Sequence, residues 1–349
     1  FAPRFRGYRD KDDHVFRYPS LSVGYKAEYP LPLPTWRDAE FARAHKIDIV
    51  HAQHPWGIGH SALKLAKKLS VPIVFTNHTR YEFYVDYVPP LIPKRLMIRL
   101  VEGAAARFAN KTNAVIVPTL SIKDYLIKNG VKESLIHILP SGVAASDLKN
   151  APDANLRERY GIPGDHKLLL YFGRVGPEKN LPTILEAYKR IIEKEEKVTL
   201  VMAGGTKGAE AYLEFLKKYA EKIGISDRVH FTGIIPPEGR GGYFREGDIF
   251  IHSSLSETQG LILADAMVFG LPIVAIRASG VVDLIVDGEN GLMTGPGPDE
   301  LADGVLRVLR EEGLREKLSE GAKKTAQGYT IEAVTKRLEN IYKDLLASD

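Results

Sequence analysis

Short apolar runs alternate with amphipathic stretches along almost the whole chain. In the first half the runs are IDIVHAQ (47–53), VPIVFTNH (71–78) and NAVIVPT (113–119), each followed by a helical pattern. In the second half they are KLLLYFGR (167–174), VTLVMAGG (198–205), RVHFTG (228–233), DIFIHSS (248–254) and LPIVAI (271–276). Apolar runs of strand length between helical patterns predict α/β units built around parallel sheets. Residues 139–165 are rich in Pro, Gly and Asn and predict a domain boundary. The expected architecture is two doubly wound domains facing each other across a cleft, with ligands at the carboxyl ends of the strands.

Composition removes several classes of function. The 349 residues suffice for two sound cores. Hydrophobic residues at 44% and charged residues at 26% belong to a globular protein, and no stretch is long and apolar enough to span a membrane. The absence of cysteine excludes disulfides, thiolate-held zinc and thiol catalysis. A formal charge of +4 does not argue for nucleic acid as a partner. His51, His54, His60 and His78 have no carboxylates converging on them in sequence, so no metal site is assigned.

The candidate chemistry lies in two stretches of the second half. In SETQGLILADAM (256–267), the strand-like run before it places Glu257 at a strand end, and the apolar pattern after Gly260 predicts a helix carrying Asp265. A glycine opening a helix leaves backbone N–H groups unpaired at the positive end of the dipole, a ready phosphate site. The flanking acids would accept hydrogen bonds from hydroxyls, and hydroxyls on both sides of a phosphate describe a nucleotide-sugar. In GRVGPEKN (173–180), Gly173 permits close approach while Arg174 and Lys179 supply two cations where a diphosphate would lie. Neither stretch has the spacing of a Walker loop or a dinucleotide-binding fingerprint.

Taken together, these motifs resemble the retaining GT-B glycosyltransferases, whose signature is an acid, a glycine-bearing segment and a second acid eight positions on. The resemblance implies that Arg174 and Lys179 hold the donor pyrophosphate and that Glu257 bonds the donor sugar. It places the backbone at Gln259, Gly260 and Leu261 beside the sugar and phosphate, and Asp265 on the ribose. The usual residue at that last position is glutamate, so this chain is one methylene shorter there. It implies domains over 1–142 and 143–329, with the C-terminal helix 330–349 completing the first, and a UDP-sugar donor with no required cofactor.

TNHTRYEFYVDYVPPLIPKRLMIRL (76–100), DIVHAQHPWGIG (48–59) and SETQG are similar to segments of bacterial diacylglycerol glucosyltransferases. His78 matches the histidine those enzymes place beside the transferred sugar. The resemblance also implies that FAPRFRGYRD corresponds to the end of a second strand, so the first domain is expected to lack a strand, loop and helix. An uncovered sheet edge left there would favour self-association.

Residues 91–111, LIPKRLMIRLVEGAAARFANK, predict a helix with Leu96, Met97, Leu100, Val101 and Phe108 along one face. Lys94, Arg95, Arg99, Arg107 and Lys111 face a single acid, Glu102. Such a patch suits an anionic bilayer, each cation contributing roughly 1 kcal/mol near the surface. The expectation is a cytoplasmic, peripherally membrane-bound retaining hexosyltransferase moving glucose from a UDP-sugar to a lipid acceptor, diacylglycerol. The alternatives are a GT-B transferase with a soluble sugar or glycan acceptor, and a truncated nucleotide-sugar-binding protein without catalysis.

Overall fold

The computed structural model describes residues 1–5, 7–10, 12–21, 30–33, 35, 37–80, 93–206, 208–255 and 257–347. Residues 81–92 and residue 256, which fall in stretches read above, lie outside the described residues. The chain forms two compact units, residues 1–139 with 336–349, and residues 140–335.

The first unit holds a parallel four-stranded sheet in sequential order: β1 (Val50–Ala52), β2 (Ile73–Thr76), β3 (Ala114–Val117) and β4 (Ile136–Ile138). All residues of β2 and β3 are buried, as expected of strands covered on both faces. Helix α1 (Ile58–Leu69) packs against β1, placing Leu65 and Ala66 with Val50, Phe75 and Phe108 in one core. Helix α2 (Lys94–Ala109) contributes Ala105, Ala106, Phe108 and Ala109 to the interior. Along β1 runs a cavity of about 420 Å³ lined by Phe1, Tyr18, Val50, Ala52, Gln53 and Leu65 among others. No described helix is long and apolar enough to cross a membrane.

The second unit is built on six parallel strands: β5 (Lys167–Phe172), β6 (Val198–Ala203), β7 (Val229–Phe231), β8 (Ile249–His252), β9 (Ile273–Ile276) and β10 (Leu292–Thr294). Their spatial order is β7-β6-β5-β8-β9-β10. The central strands are buried on both faces, which is why KLLLYF and IVAI read as unbroken apolar runs. Chain order therefore runs outward from β5 through β6 and β7, then restarts on its other side at β8. That reversal opens a crevice beyond the carboxyl ends of β5 and β8, where open α/β sheets take their ligands. The residues following these two strands are GRVGPEKN and SSLSETQG.

Within the two larger sheets, two strands were not anticipated, and neither were the two-residue strands Ala2–Pro3, Arg17–Tyr18, Ser20–Leu21 and Leu31–Pro32 that form two small sheets near the start of the chain. Both β4 and β10 are three residues long, lie at a sheet edge and are partly exposed, so neither leaves a long apolar run. The C-terminal helix α10 (Ile331–Ala347) follows α3 (Leu120–Lys128), α4 (Leu181–Ile192), α5 (Glu210–Lys222), α6 (Arg240–Glu246), α7 (Leu261–Val268), α8 (Pro298–Arg310) and α9 (Leu314–Gln327), and an eight-residue helix, Arg37–Ala44, precedes β1. Tyr342 on α10 hydrogen-bonds His51 Nδ1, while His51 Nε2 meets Thr76 Oγ1 at 2.6 Å. This clasp joins the C-terminal helix to the ends of β1 and β2.

Candidate functional site

The crevice of the second unit is framed by backbone contacts that only glycine allows. At Gly204, which follows β6 with φ +139°, a Cβ would fall 1.8 Å from the carbonyl oxygen of Gly173, which follows β5. Gly173 N–H donates to Ala203 O at 2.9 Å and Val175 N–H to Gly205 O at 2.9 Å, so the first two loops are tied together. Beyond Gly173, residues Pro177–Lys179 form one turn of 3₁₀ helix and Asn180 adopts φ +53° to start α4.

Across the switch point, Gly260 takes φ +70° and opens α7 with no side-chain cap. The first amides of α7 are thus left for a ligand or solvent, with Leu261 partly exposed at the first position. The side chain of Gln259, whose backbone precedes that helix end, is tied to Ser141. Its Oε1 accepts from Ser141 N–H at 2.9 Å and its Nε2 donates to Ser141 O at 3.1 Å.

Each cation predicted for a diphosphate already holds an acid. Arg174 Nη2 lies 2.7 Å from Glu178 Oε1, on a side chain that is 55% exposed. Lys179 Nζ donates to Glu257 Oε1 at 2.6 Å, with both side chains largely buried. Burial by itself would raise the Glu257 carboxyl, but the ammonium of Lys179 and its hydrogen bond, with His252 where that ring is protonated, outweigh it and hold the group below its ordinary value. Its backbone is fixed as well, since Ser279 Oγ donates to Glu257 O at 3.1 Å.

Asp265 is the one acid in the apolar helix LILADAMV and is buried. Desolvation pushes its carboxyl up to about 6, against the opposing charge of Arg240. Arg240 Nη1 stands 3.2 Å from Asp265 Oδ2, while the buried Arg240 Nε has no partner. Sequence reasoning missed Arg240 because it is an isolated cation in a Pro- and Gly-rich stretch. It also missed His252, the last residue of β8, which is buried with both ring nitrogens unpartnered and is pushed down to about 4 by burial. A histidine inside the apolar run DIFIH was the available signal.

In the first unit, His78 follows β2 and its Nε2 lies 2.7 Å from Gln53 Oε1. His54 accepts from Trp56 N–H at 3.2 Å through Nδ1. Among the described residues no group of three or more His, Asp or Glu side chains could hold a metal ion. On α2, Lys94, Arg95, Arg99 and Arg107 are all exposed, as is Lys111 just past the helix end. The apolar face expected there is only partly interior. Phe108 is buried, but Leu96 and Leu100 are each 50% exposed and share the first turns with the cations, because burial begins only at Ala105.

Two family matches divide the chain. Residues 152–325 match Glycosyl transferases group 1, and residues 1–147 match Glycosyltransferase Family 4. The chain is 32% identical to "Alpha-monoglucosyldiacylglycerol synthase" of Streptococcus pneumoniae, over 89% of this chain and 69% of that protein. It is 28% identical to "D-inositol 3-phosphate glycosyltransferase" of Frankia alni, over 86% of this chain and 75% of that one. Among solved structures, the Anabaena protein Alr3699/HepE in complex with UDP and glucose superposes with a TM-score of 0.73 at 20% identity, covering 88% of this chain and 80% of that one. The switch-point order of the second sheet fits these matches. The chain therefore belongs to the group 1 glycosyl transferases and has their α/β GT-B fold.

Proposed function

We propose that this glycosyltransferase is a retaining enzyme that moves glucose from UDP-glucose to the hydroxyl of diacylglycerol at an anionic membrane surface. The observation that carries the donor half is the convergence of Arg174, Lys179, Glu257 and the open amide end of α7 at one sheet switch point. In this reading Arg174 and Lys179 take the diphosphate, with Gly173 allowing the backbone close to it. The amides of Gly260 and Leu261 add donors, Glu257 accepts from glucose hydroxyls, and Asp265 accepts from the ribose. His78 is assigned to the transferred glucose.

During transfer, the acceptor oxygen bonds to the anomeric carbon on the face from which the diphosphate departs. The anomeric carbon–oxygen bond to phosphate breaks, and the acceptor proton passes to the leaving phosphate. The charge that develops on the diphosphate is met by Arg174, Lys179 and the helix amides, which are in place before the bond breaks.

The acceptor half is supported by the exposed cations of α2 flanked by Leu96 and Leu100, a pattern suited to a peripheral helix on anionic lipid. The name of the pneumococcal relative supports the same acceptor. A soluble phosphorylated polyol is the second reading, favoured by the name of the Frankia relative. UDP-glucose turnover with diacylglycerol in anionic vesicles, following UDP and labelled lipid together, tests the proposal. Labelled glycolipid is the expected result. UDP release that depends on a soluble polyol and not on the vesicles would replace the lipid acceptor, and failure to bind UDP-glucose would sink the donor.

A further inference from the structure

We propose that His252 is a positioning residue for Glu257: when the donor diphosphate draws Lys179 away, the His252 imidazole takes over the Glu257 carboxylate and holds it toward the donor sugar. This rests on the assignment of Lys179 to the diphosphate and Glu257 to the sugar. Without donor, one carboxylate oxygen stands between both partners. Glu257 Oε1 is 2.6 Å from Lys179 Nζ and 3.6 Å from His252 Nε2. A shift of less than an ångström at Oε1 converts the second separation into a hydrogen bond.

Three features favour such an exchange. His252 is 1% exposed and, among the described residues, neither of its ring nitrogens has a hydrogen-bond partner, a condition native interiors rarely tolerate unless another state uses the group. Its backbone belongs to β8, which pairs with β5 on one side and β9 on the other, so the ring is held in the sheet, whereas Glu257 lies in a loop and Lys179 ends a single 3₁₀ turn. The backbones of those two residues are anchored at the same place. Ser253 Oγ donates to Lys179 O at 2.7 Å, and a Cβ on Gly280 would fall 2.7 Å from Glu257 O. Only the side chains are left to change partners.

The electrostatics point the same way. If Lys179 moved to a diphosphate and nothing replaced it, a carboxylate that is 15% exposed would be left without its counter-charge. A neutral imidazole satisfies that oxygen with an N–H and adds no second cation to compete with the diphosphate. His252 is suited to this, since burial keeps it uncharged at neutral pH. The exchange requires the tautomer with hydrogen on Nε2.

Calorimetry with UDP and UDP-glucose on the wild type, His252→Leu and His252→Asn, combined with ¹⁵N-histidine NMR on the free Lys179→Met variant, tests the proposal. His252→Leu is expected to weaken UDP and UDP-glucose alike, each about tenfold, because either diphosphate draws Lys179 from Glu257, with His252→Asn recovering most of the loss because it keeps an N–H donor. In Lys179→Met, the His252 Nε2–H signal is expected to move to a hydrogen-bonded position, and adding Glu257→Gln should reverse the move. No weakening of either nucleotide, no recovery in His252→Asn, or an unmoved signal in Lys179→Met overturns the proposal. If the wild type binds neither nucleotide, the donor assignment fails, and the NMR comparison alone decides whether His252 can hold Glu257.

Discussion

Gln259 grips Ser141 at both ends of its amide, accepting from the N–H and donating to the carbonyl of the same residue. The pair is 118 positions apart in sequence, so one side chain of the SETQG stretch fixes the loop that opens the second unit. Gln259→Leu removes both bonds and leaves two backbone groups of Ser141 without their protein partner. A loss of about 1–3 kcal/mol is expected in urea unfolding. An unchanged midpoint would mean that water replaces the amide without cost.

Arg174→Ala separates chemistry from stability. Its bond to Glu178 is an exposed i, i+4 pair, which contributes roughly 0.3–0.5 kcal/mol at most. Turnover of UDP-glucose is expected to fall by about 10²–10³, the usual consequence of losing a donor to a developing anion. A variant with near-normal turnover and a normal unfolding midpoint would remove Arg174 from the site.

Reversing two charges on α2 tests the membrane face. In Arg95→Glu/Arg99→Glu, sedimentation with anionic vesicles is expected to drop by well over tenfold, given roughly 1 kcal/mol for each cation near the surface. Sedimentation with neutral vesicles should not change. The pairing state of the two arginines favours this outcome, since both are exposed and neither takes part in a described ion pair.

Acid sensitivity follows from three buried groups. His51 and His252 are each pushed down to about 4, chiefly by burial, from an ordinary 6.5. Between about pH 6.5 and 4 the unfolded chain therefore binds protons at these sites that the folded chain refuses, and stability falls as pH falls. Asp265 has the opposite sign. Its folded value of about 6 lies above the ordinary 3.8, so between those values the folded chain holds a proton the unfolded chain has lost. It offsets one histidine there. Asp265→Asn is expected to steepen the loss of stability between pH 6 and 4 by up to about 1.4 kcal/mol per pH unit. Urea unfolding at several pH values compares the slopes, and parallel wild-type and variant curves would contradict the assignment.

The sheets were legible because parallel strands buried on both faces must be apolar at every position, so LLLYF, TLVMA and IVAI could hardly be anything else. The loops of the site were legible because Gly173, Gly260 and the charges around them interrupt those runs abruptly. Partnership was not. Nothing in the spacing of Arg240 and Asp265, or of Lys179 and Glu257, announces that they meet, because their contact depends on which strands become neighbours in the sheet. Leu96 and Leu100 misled for a related reason. Helical periodicity says that they share a face, whereas only the packing of Ala105 and Phe108 says where the interior begins.

The candidate site of the second unit is close to electroneutral, because Arg174, Lys179 and Arg240 each face a carboxylate of their own. A stray monovalent anion offers one charge and would have to break a formed pair to enter. In the proposed assignment, a diphosphate spans Arg174 and Lys179 at once and its sugar hydroxyls reach Glu257, so the breaking of the Lys179–Glu257 pair is compensated on both sides. If the proposed donor assignment holds, the self-paired site would act as a valency filter, favouring a ligand that can replace both halves of what it separates.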